Sequence, residues 1–214
     1  MKPEEVVRLG YERAAEAYLA DRRQEAPDVA ALEHLISRLP AGALVLDAGC
    51  GAGMPIAHRL SQSYRVVGVD FSERQLGLAT QHVPKAAFAC QELTRLGLAG
   101  GTFDAVCSYY AIIHIPRAKH AGILADFYRL LRPGGLAFLC LGAMDLDDDY
   151  DDGYFGVRMY WSHFDAPTNL ALLSDAGFDV LWWQIISDSL GGEAATGSHL
   201  FVLAQKPAAG NRSN

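Results

Sequence analysis

The chain has 214 residues, half of them hydrophobic and a fifth charged, which is enough for one well-filled domain and few for two. Its formal net charge of −7, with no basic stripe to offset it, repels phosphate backbones and argues against a nucleic-acid partner. No apolar run is long enough to span a bilayer and the opening MKPEEVVRLG lacks the apolar centre of a signal peptide, so a cytoplasmic protein with no membrane partner is expected.

Residues Pro3 to Arg22 and Asp28 to Leu39 read as two helices. An alternation follows. Strand-like runs at Ala43 to Ala48, Arg65 to Asp70, Ala86 to Cys90, Phe103 to Tyr109 and Gly135 to Leu141 are separated by helical patterns, the mark of a parallel α/β sheet. Pro55 suits a first helical turn, Ser72 can cap the helix SERQLGLATQHV, RPGG stops the helix that starts at Arg117, and Asp165 can cap one from near Ala166. Two last runs, Phe178 to Ile186 and His199 to Gln205, are joined by the turn-rich SDSLGGEAATGS and predict a closing hairpin, for seven strands in all. The organisation predicted is a single domain over residues 1–206 and a polar, frayed tail over 207–214.

Cys50, Cys90, Cys107 and Cys140 are widely spaced in or after strand-like runs, which suits small buried hydrophobes better than metal ligands. The acidic run DLDDDYDDG from Asp145 fails the EF-hand pattern, since Gly153 comes one place late and Arg158 stands where a bidentate Glu is needed. It reads as a solvated loop, and no metal site is expected.

The densest signal is VLDAGCGAG, where an apolar run ends at Asp47 and Gly49, Gly51 and Gly53 follow on alternate positions. A glycine turn between strand and helix lets a ligand lie on bare main chain at a helix N-terminus. The dinucleotide fingerprint needs its third glycine where Met54 stands, so a pyrophosphate is disfavoured and an NAD-dependent oxidoreductase with it. Asp70 ends the next strand, where a carboxylate can accept from both hydroxyls of a ribose.

VLDAGCGAG, VVGVDFSERQL, FDAVCSYYAIIH and YRLLRPGGLAFL, in this order and spacing, resemble the motifs of the class I S-adenosylmethionine-dependent methyltransferases, and the resemblance runs from about Tyr11 to Lys206. It implies a doubly wound, Rossmann-like seven-stranded α/β sheet in the order 3-2-1-4-5-7-6, the last strand antiparallel. It also implies S-adenosylmethionine as cofactor and S-adenosylhomocysteine as product. Asp47 would order the glycine loop near the methionine amino group, and Gly49 and Gly51 would let the cofactor approach. Asp70 would hold the ribose with Phe71 beside the adenine. Glu92 stands where the family more often has Asp at the adenine amino group, with Leu93 as the neighbouring wall, and Tyr109 would face the sulfonium. YERAAEAY matches a helix of small-molecule members in which Tyr11 and Tyr18, two turns apart, face one side. That makes residues 1–40 a helical lid over the methionine end, the alternative being a docked amphipathic helix.

An activated methyl asks mainly for alignment and, for a hydroxyl or amine acceptor, removal of a proton. His114, after the fourth strand, is the candidate base, and Tyr110 can orient a substrate oxygen; loop hydrogen bonding and packing are the competing roles. Tyr160, Trp161 and His163 can line a flat substrate or pack their segment on the sheet. A small-molecule acceptor fits the short length left for selection, a hydroxyl being favoured over an amine because a base is at hand. The rival from another class is a catalytically silent S-adenosylmethionine-binding subunit that supports a partner protein. Nothing in the sequence marks an oligomeric state.

Overall fold

The computed structural model describes residues 1–187 and 197–208. Five strands, β1 (Leu44–Ala48), β2 (Arg65–Asp70), β3 (Ala87–Cys90), β4 (Phe103–Ser108) and β5 (Leu131–Gly142), run parallel. Strands β6 (Leu146–Tyr154) and β7 (Val157–His163) form a separate antiparallel pair. Strands β8 (Asp179–Ser187) and β9 (Ser198–Gln205) complete the main sheet, whose order is β3-β2-β1-β4-β5-β9-β8 with β9 antiparallel to both neighbours. This is the order expected, with the last two positions renumbered by the inserted pair.

The strands are apolar on both faces because helices cover both. Val45, Phe138 and Leu203 pack toward α2 (Pro27–Ala30), α3 (Glu33–Ile36) and α4 (Ile56–Leu60). Their neighbours Leu46, Leu139 and Val202 point the other way, toward α6 (His120–Leu130) and α7 (Ala166–Asp175). The caps lie where the sequence puts them: Ser72 accepts from the Gln75 amide at 3.2 Å to open α5 (Glu73–His82), and Asp165 accepts from Thr168 at 3.0 Å to open α7. No helix among the described residues is long and apolar enough to cross a membrane.

Three expectations need adjusting. The predicted second N-terminal helix is two short pieces joined through Ala31 and Leu32, where three-residue hydrogen bonds tighten the chain. The helix expected from Arg117 begins as a 3₁₀ turn (Arg117–Lys119) before α6. The acidic run is no solvated loop but strand β6. Aspartate has little intrinsic strand preference, so the partner strand decides: β7 supplies the ladder, the carboxylates point to solvent, and Arg117 bridges Asp145 and Asp147 at 2.7 and 2.8 Å. Of the predicted terminal connection, residues 188–196 lie outside the described residues, as do 209–214 of the tail.

Helix α1 (Pro3–Asp21) rests on β7, not on the main sheet. Val6 and Val7 cluster with the buried Met159 and Tyr160, and the contact is close because position 10 has no side chain: a Cβ on Gly10 would stand 2.9 Å from Met159 Cε and 3.0 Å from the Arg158 carbonyl oxygen. Gly10→Leu is therefore expected to lift α1 off the hairpin and cost about 1–3 kcal/mol, read as a lowered denaturation midpoint and faster amide exchange in α1 while β1 and β4 stay protected.

Candidate functional site

Strands β1 and β4 lie side by side, and the chain leaves both at their carboxyl ends into a common cleft, the usual ligand position in an open α/β sheet. After β1, Gly49, Gly51 and Gly53 take φ values of +80°, +51° and +78°, the left-handed region that other residues enter at a cost. The Gly49 and Cys50 amides both donate to the Val69 carbonyl, at 2.8 and 3.0 Å. A Cβ on Gly49 would fall 2.3 Å from that of Ala111, so that glycine is required by close approach as well as by φ.

Asp70 closes the loop from the other side. Its Oδ2 accepts from the Gly51 amide and its Oδ1 from the Ser72 amide, both at 2.9 Å. Burial raises its pKa while these amides pull it back, and each oxygen keeps lone-pair capacity toward the cleft. Asp47 has no such help: its Oδ2 is buried without a hydrogen-bond partner, and burial, then the charge of Asp70, push its pKa up to about 7.

The main cleft encloses about 770 Å³, including its open mouth, and a second compartment of about 420 Å³ shares with it Tyr18, Gly49, Gly51, Tyr109 and Tyr110. Tyr11, Asp70, Phe71, Glu92, Leu93 and His114 line the main cleft, and Asp47 lines the second compartment. Every residue that the sequence pointed to for the cofactor thus borders one or other of two adjoining compartments.

The residues pointed to for the acceptor divide. His114 is buried in the cleft wall, its Nδ1 2.7 Å from the Tyr160 carbonyl and its Nε2 2.9 Å from the Tyr11 hydroxyl; burial lowers its pKa to about 4. Tyr110 donates to Asp28 Oδ2 at 3.2 Å, Tyr109 donates to the Asp28 carbonyl at 2.9 Å, and Arg22 meets the same carboxylate at 3.1 Å and lies over the Tyr110 ring. In this conformation both tyrosine hydroxyls serve to clasp α1 and α2 onto the end of β4. Tyr160, Trp161 and His163 border neither compartment. Tyr160 is fully buried and donates to Asp148, Trp161 packs on the His114 ring at 5.3 Å between centroids, and the ring of His163 lies against Gly142 with Nδ1 donating to the Met144 carbonyl at 2.8 Å.

Two wall residues escaped the sequence reading. Gln75 is buried with neither amide atom hydrogen-bonded, at the edge of the main cleft. The S-x-x-Q spacing from Ser72 was a visible signal, because in a capping box this glutamine reaches back to the cap amide. Here the Ser72 amide is taken by Asp70, which leaves the glutamine to the cleft. Arg22, in the second compartment, carried no local signal at all.

Residues 45–135 match the family model described as a methyltransferase domain. A ubiquinone biosynthesis O-methyltransferase of Rhizobium johnstonii is 33% identical, the match covering 62% of this chain and 50% of that protein. The tRNA (carboxymethyluridine(34)-5-O)-methyltransferase ALKBH8 of Macaca fascicularis, a protein named for action on a tRNA, is 29% identical over 66% of this chain and 20% of its own length. The chain spans about half the length, or less, of the curated relatives it matches. Among solved structures, Burkholderia thailandensis 1,6-didemethyltoxoflavin-N1-methyltransferase, with 1,6-didemethyltoxoflavin and S-adenosylhomocysteine bound, superposes with a TM-score of 0.69 at 23% identity over 97% of this chain and 91% of that one.

Asp47 also sets a pH dependence. A carboxyl whose pKa rises on folding from the ordinary 3.8 to about 7 contributes stability below pH 4 that is lost as pH climbs through 7. Asp47→Asn is expected to be more stable than the wild type at pH 8, by on the order of 2–4 kcal/mol. The gap should close toward pH 4, which paired thermal melts across this range would check.

Proposed function

We propose that this chain, which carries a methyltransferase domain of the class I, S-adenosylmethionine-dependent type, transfers a methyl group to a small neutral molecule, at a hydroxyl in preference to an amine, with residues 1–206 acting as one unit. The observation that carries the reading is Asp47. A buried carboxylate oxygen with no partner, beside a glycine loop, calls for a cationic donor from a ligand, and the ammonium of an amino-acid end is such a group. The rest of the wall agrees: Gly49 and Gly51 leave the main chain open, Asp70 keeps lone pairs for ribose hydroxyls, Phe71 and Leu93 offer apolar faces to a purine, and Glu92 an acceptor for its amino group. Gln75 adds an amide with both ends unspent, and Arg22 a guanidinium suited to the carboxylate of the same amino-acid end. When bound, S-adenosylmethionine supplies a methyl already activated by its sulfonium.

The acceptor reading rests on charge and basicity. Among the described residues, the charged side chains lining the main cleft are Glu4, Asp70 and Glu92, with no lysine or arginine, which disfavours an anionic acceptor and a phosphate backbone alike. His114 is held neutral by its burial, and so weak a base does not strip an ammonium, whereas the protonated ether formed from a hydroxyl is a far stronger acid that yields its proton even to a weak base. Tyr11 and Tyr18 meet the hairpin residues Tyr154 and Phe155 edge to face, at centroid distances of 6.4 and 5.8 Å, and this aromatic seam supports the helix as a cover that excludes water.

Isothermal titration with S-adenosylhomocysteine, with NAD as control, tests the cofactor. The wild type should bind the former and not the latter, and Asp70→Ala should weaken binding about ten- to a hundredfold. Radiolabelled methyl transfer to panels of neutral hydroxylated aromatics and of amines then tests the acceptor; tight binding with no turnover on either panel would make the chain a silent subunit.

A further inference from the structure

The cleft wall holds one polar pair whose hydrogens the backbone assigns. His114 Nδ1 faces the Tyr160 carbonyl at 2.7 Å, and a carbonyl only accepts, so Nδ1 carries the ring hydrogen and Nε2 is the bare nitrogen. Nε2 stands 2.9 Å from the Tyr11 hydroxyl, which is therefore the donor. With its own hydrogen turned to His114, the Tyr11 oxygen shows lone pairs and no proton to whatever enters the cleft that it lines.

We propose that Tyr11 is the residue that touches the methyl acceptor, its Oη receiving the hydrogen bond of the acceptor's hydroxyl, and that His114 is a positioning residue acting through it. The inference rests on the methyl-transfer reading above and sharpens it: the acceptor must present an O–H at this point, and a molecule already capped there by a methyl is rejected. The direct route from His114 to an acceptor is closed, because Nε2 is taken by Tyr11 and Nδ1 by the backbone of β7. When the acceptor gives up its hydrogen, its O–H bond breaks with the pair left on oxygen. The proton goes to Tyr11 Oη while the Tyr11 proton goes to His114 Nε2, and the imidazole ends with the positive charge.

The surroundings keep Tyr11 a phenol and not a phenolate. Burial raises its pKa well above the usual value, as do Tyr154 from β6, Tyr18 from its own helix and Asp70 from β2, and a side-chain hydrogen bond between Tyr11 and Tyr154 adds to the rise. Around His114 stand Tyr11, Tyr154 and Trp161, and the charges of His199 and His163 act on it as well.

Phenol and anisole differ by the one hydrogen at issue. Each is titrated into protein saturated with S-adenosylhomocysteine, followed by NMR shifts of the cleft aromatics, for the wild type and for Tyr11→Phe. Phenol is expected to bind the wild type about tenfold more tightly than anisole, and the preference should shrink to below about twofold in Tyr11→Phe. A ¹⁵N spectrum of the histidine rings should show His114 protonated at Nδ1 and bare at Nε2 at neutral pH. Equal binding of the two probes, no binding of phenol, a preference that survives in Tyr11→Phe, or an Nε2-protonated His114 would each overturn the inference. The wild-type comparison and the ring spectrum decide the matter even where the variant does not fold. A wild type that fails to bind S-adenosylhomocysteine is a separate result, which removes the methyl-transfer reading itself.

Discussion

Two main-chain N–H groups from different segments end on one buried carboxylate. Gly51 reaches one oxygen of Asp70 and Ser72 the other, so the glycine loop after β1 and the entry to α5 after β2 are tied at a single point. The register of β1 on β2, with Asp47 opposite Gly68 and Ala48 opposite Val69, delivers both ends to that point. Charge-assisted bonds to backbone amides are among the stronger ones a side chain makes, and here they also use the Ser72 amide that would otherwise have held Gln75. The open main chain, the unspent glutamine and the ribose-ready carboxylate all follow from that tie.

The second constraint lies at the end of β4. Tyr109 and Tyr110 are consecutive, yet both hydroxyls come to Asp28 of α2 because Tyr110 takes a φ of +51°, a conformation that is uncommon for a bulky residue. Arg22, at the end of α1, meets the same carboxylate. The N-terminal helices are thereby clasped to the end of β4, beside the cleft. Farther along α1, Gly10 lets the helix sit on β7, and Tyr11 reaches His114, whose ring is aimed by the Tyr160 carbonyl. The N-terminal helix, the segment after β4 and the inserted hairpin are in this way one packed unit.

Stability and ligand capture pull against each other at Asp47. An unpartnered buried carboxylate costs folding energy, and an asparagine would relieve it, but the same unmet charge is what the proposed capture of an ammonium would use. Sites that break a rule of good packing are where function is to be sought.

How much of this was legible without coordinates depends on how local the signal was. The glycine loop, Asp47, Asp70 and the caps at Ser72 and Asp165 are carried by short stretches in which each residue's role is set by its immediate neighbours and by the turn it must make, while the strand order comes with the family resemblance that those motifs carry. The acidic strand β6 was not legible, because its conformation comes from pairing with β7, and aspartates alone argue for a loop. In the sequence, Tyr160, Trp161 and His163 read as lining a flat substrate or packing their segment on the sheet; their rings border neither compartment, and the backbone carbonyl of Tyr160 reaches the cleft wall through His114. His114 stood out from its place after β4, whereas its tautomer depends on a carbonyl 46 residues away and its reach on a tyrosine 103 residues away. The sequence by itself determined the alternation of strands and helices and the glycine turn, since those rest on local periodicity and turn chemistry. Only the tertiary structure decided which polar atoms face the cleft and which are already spent, because a hydrogen bond is settled by where two distant segments meet.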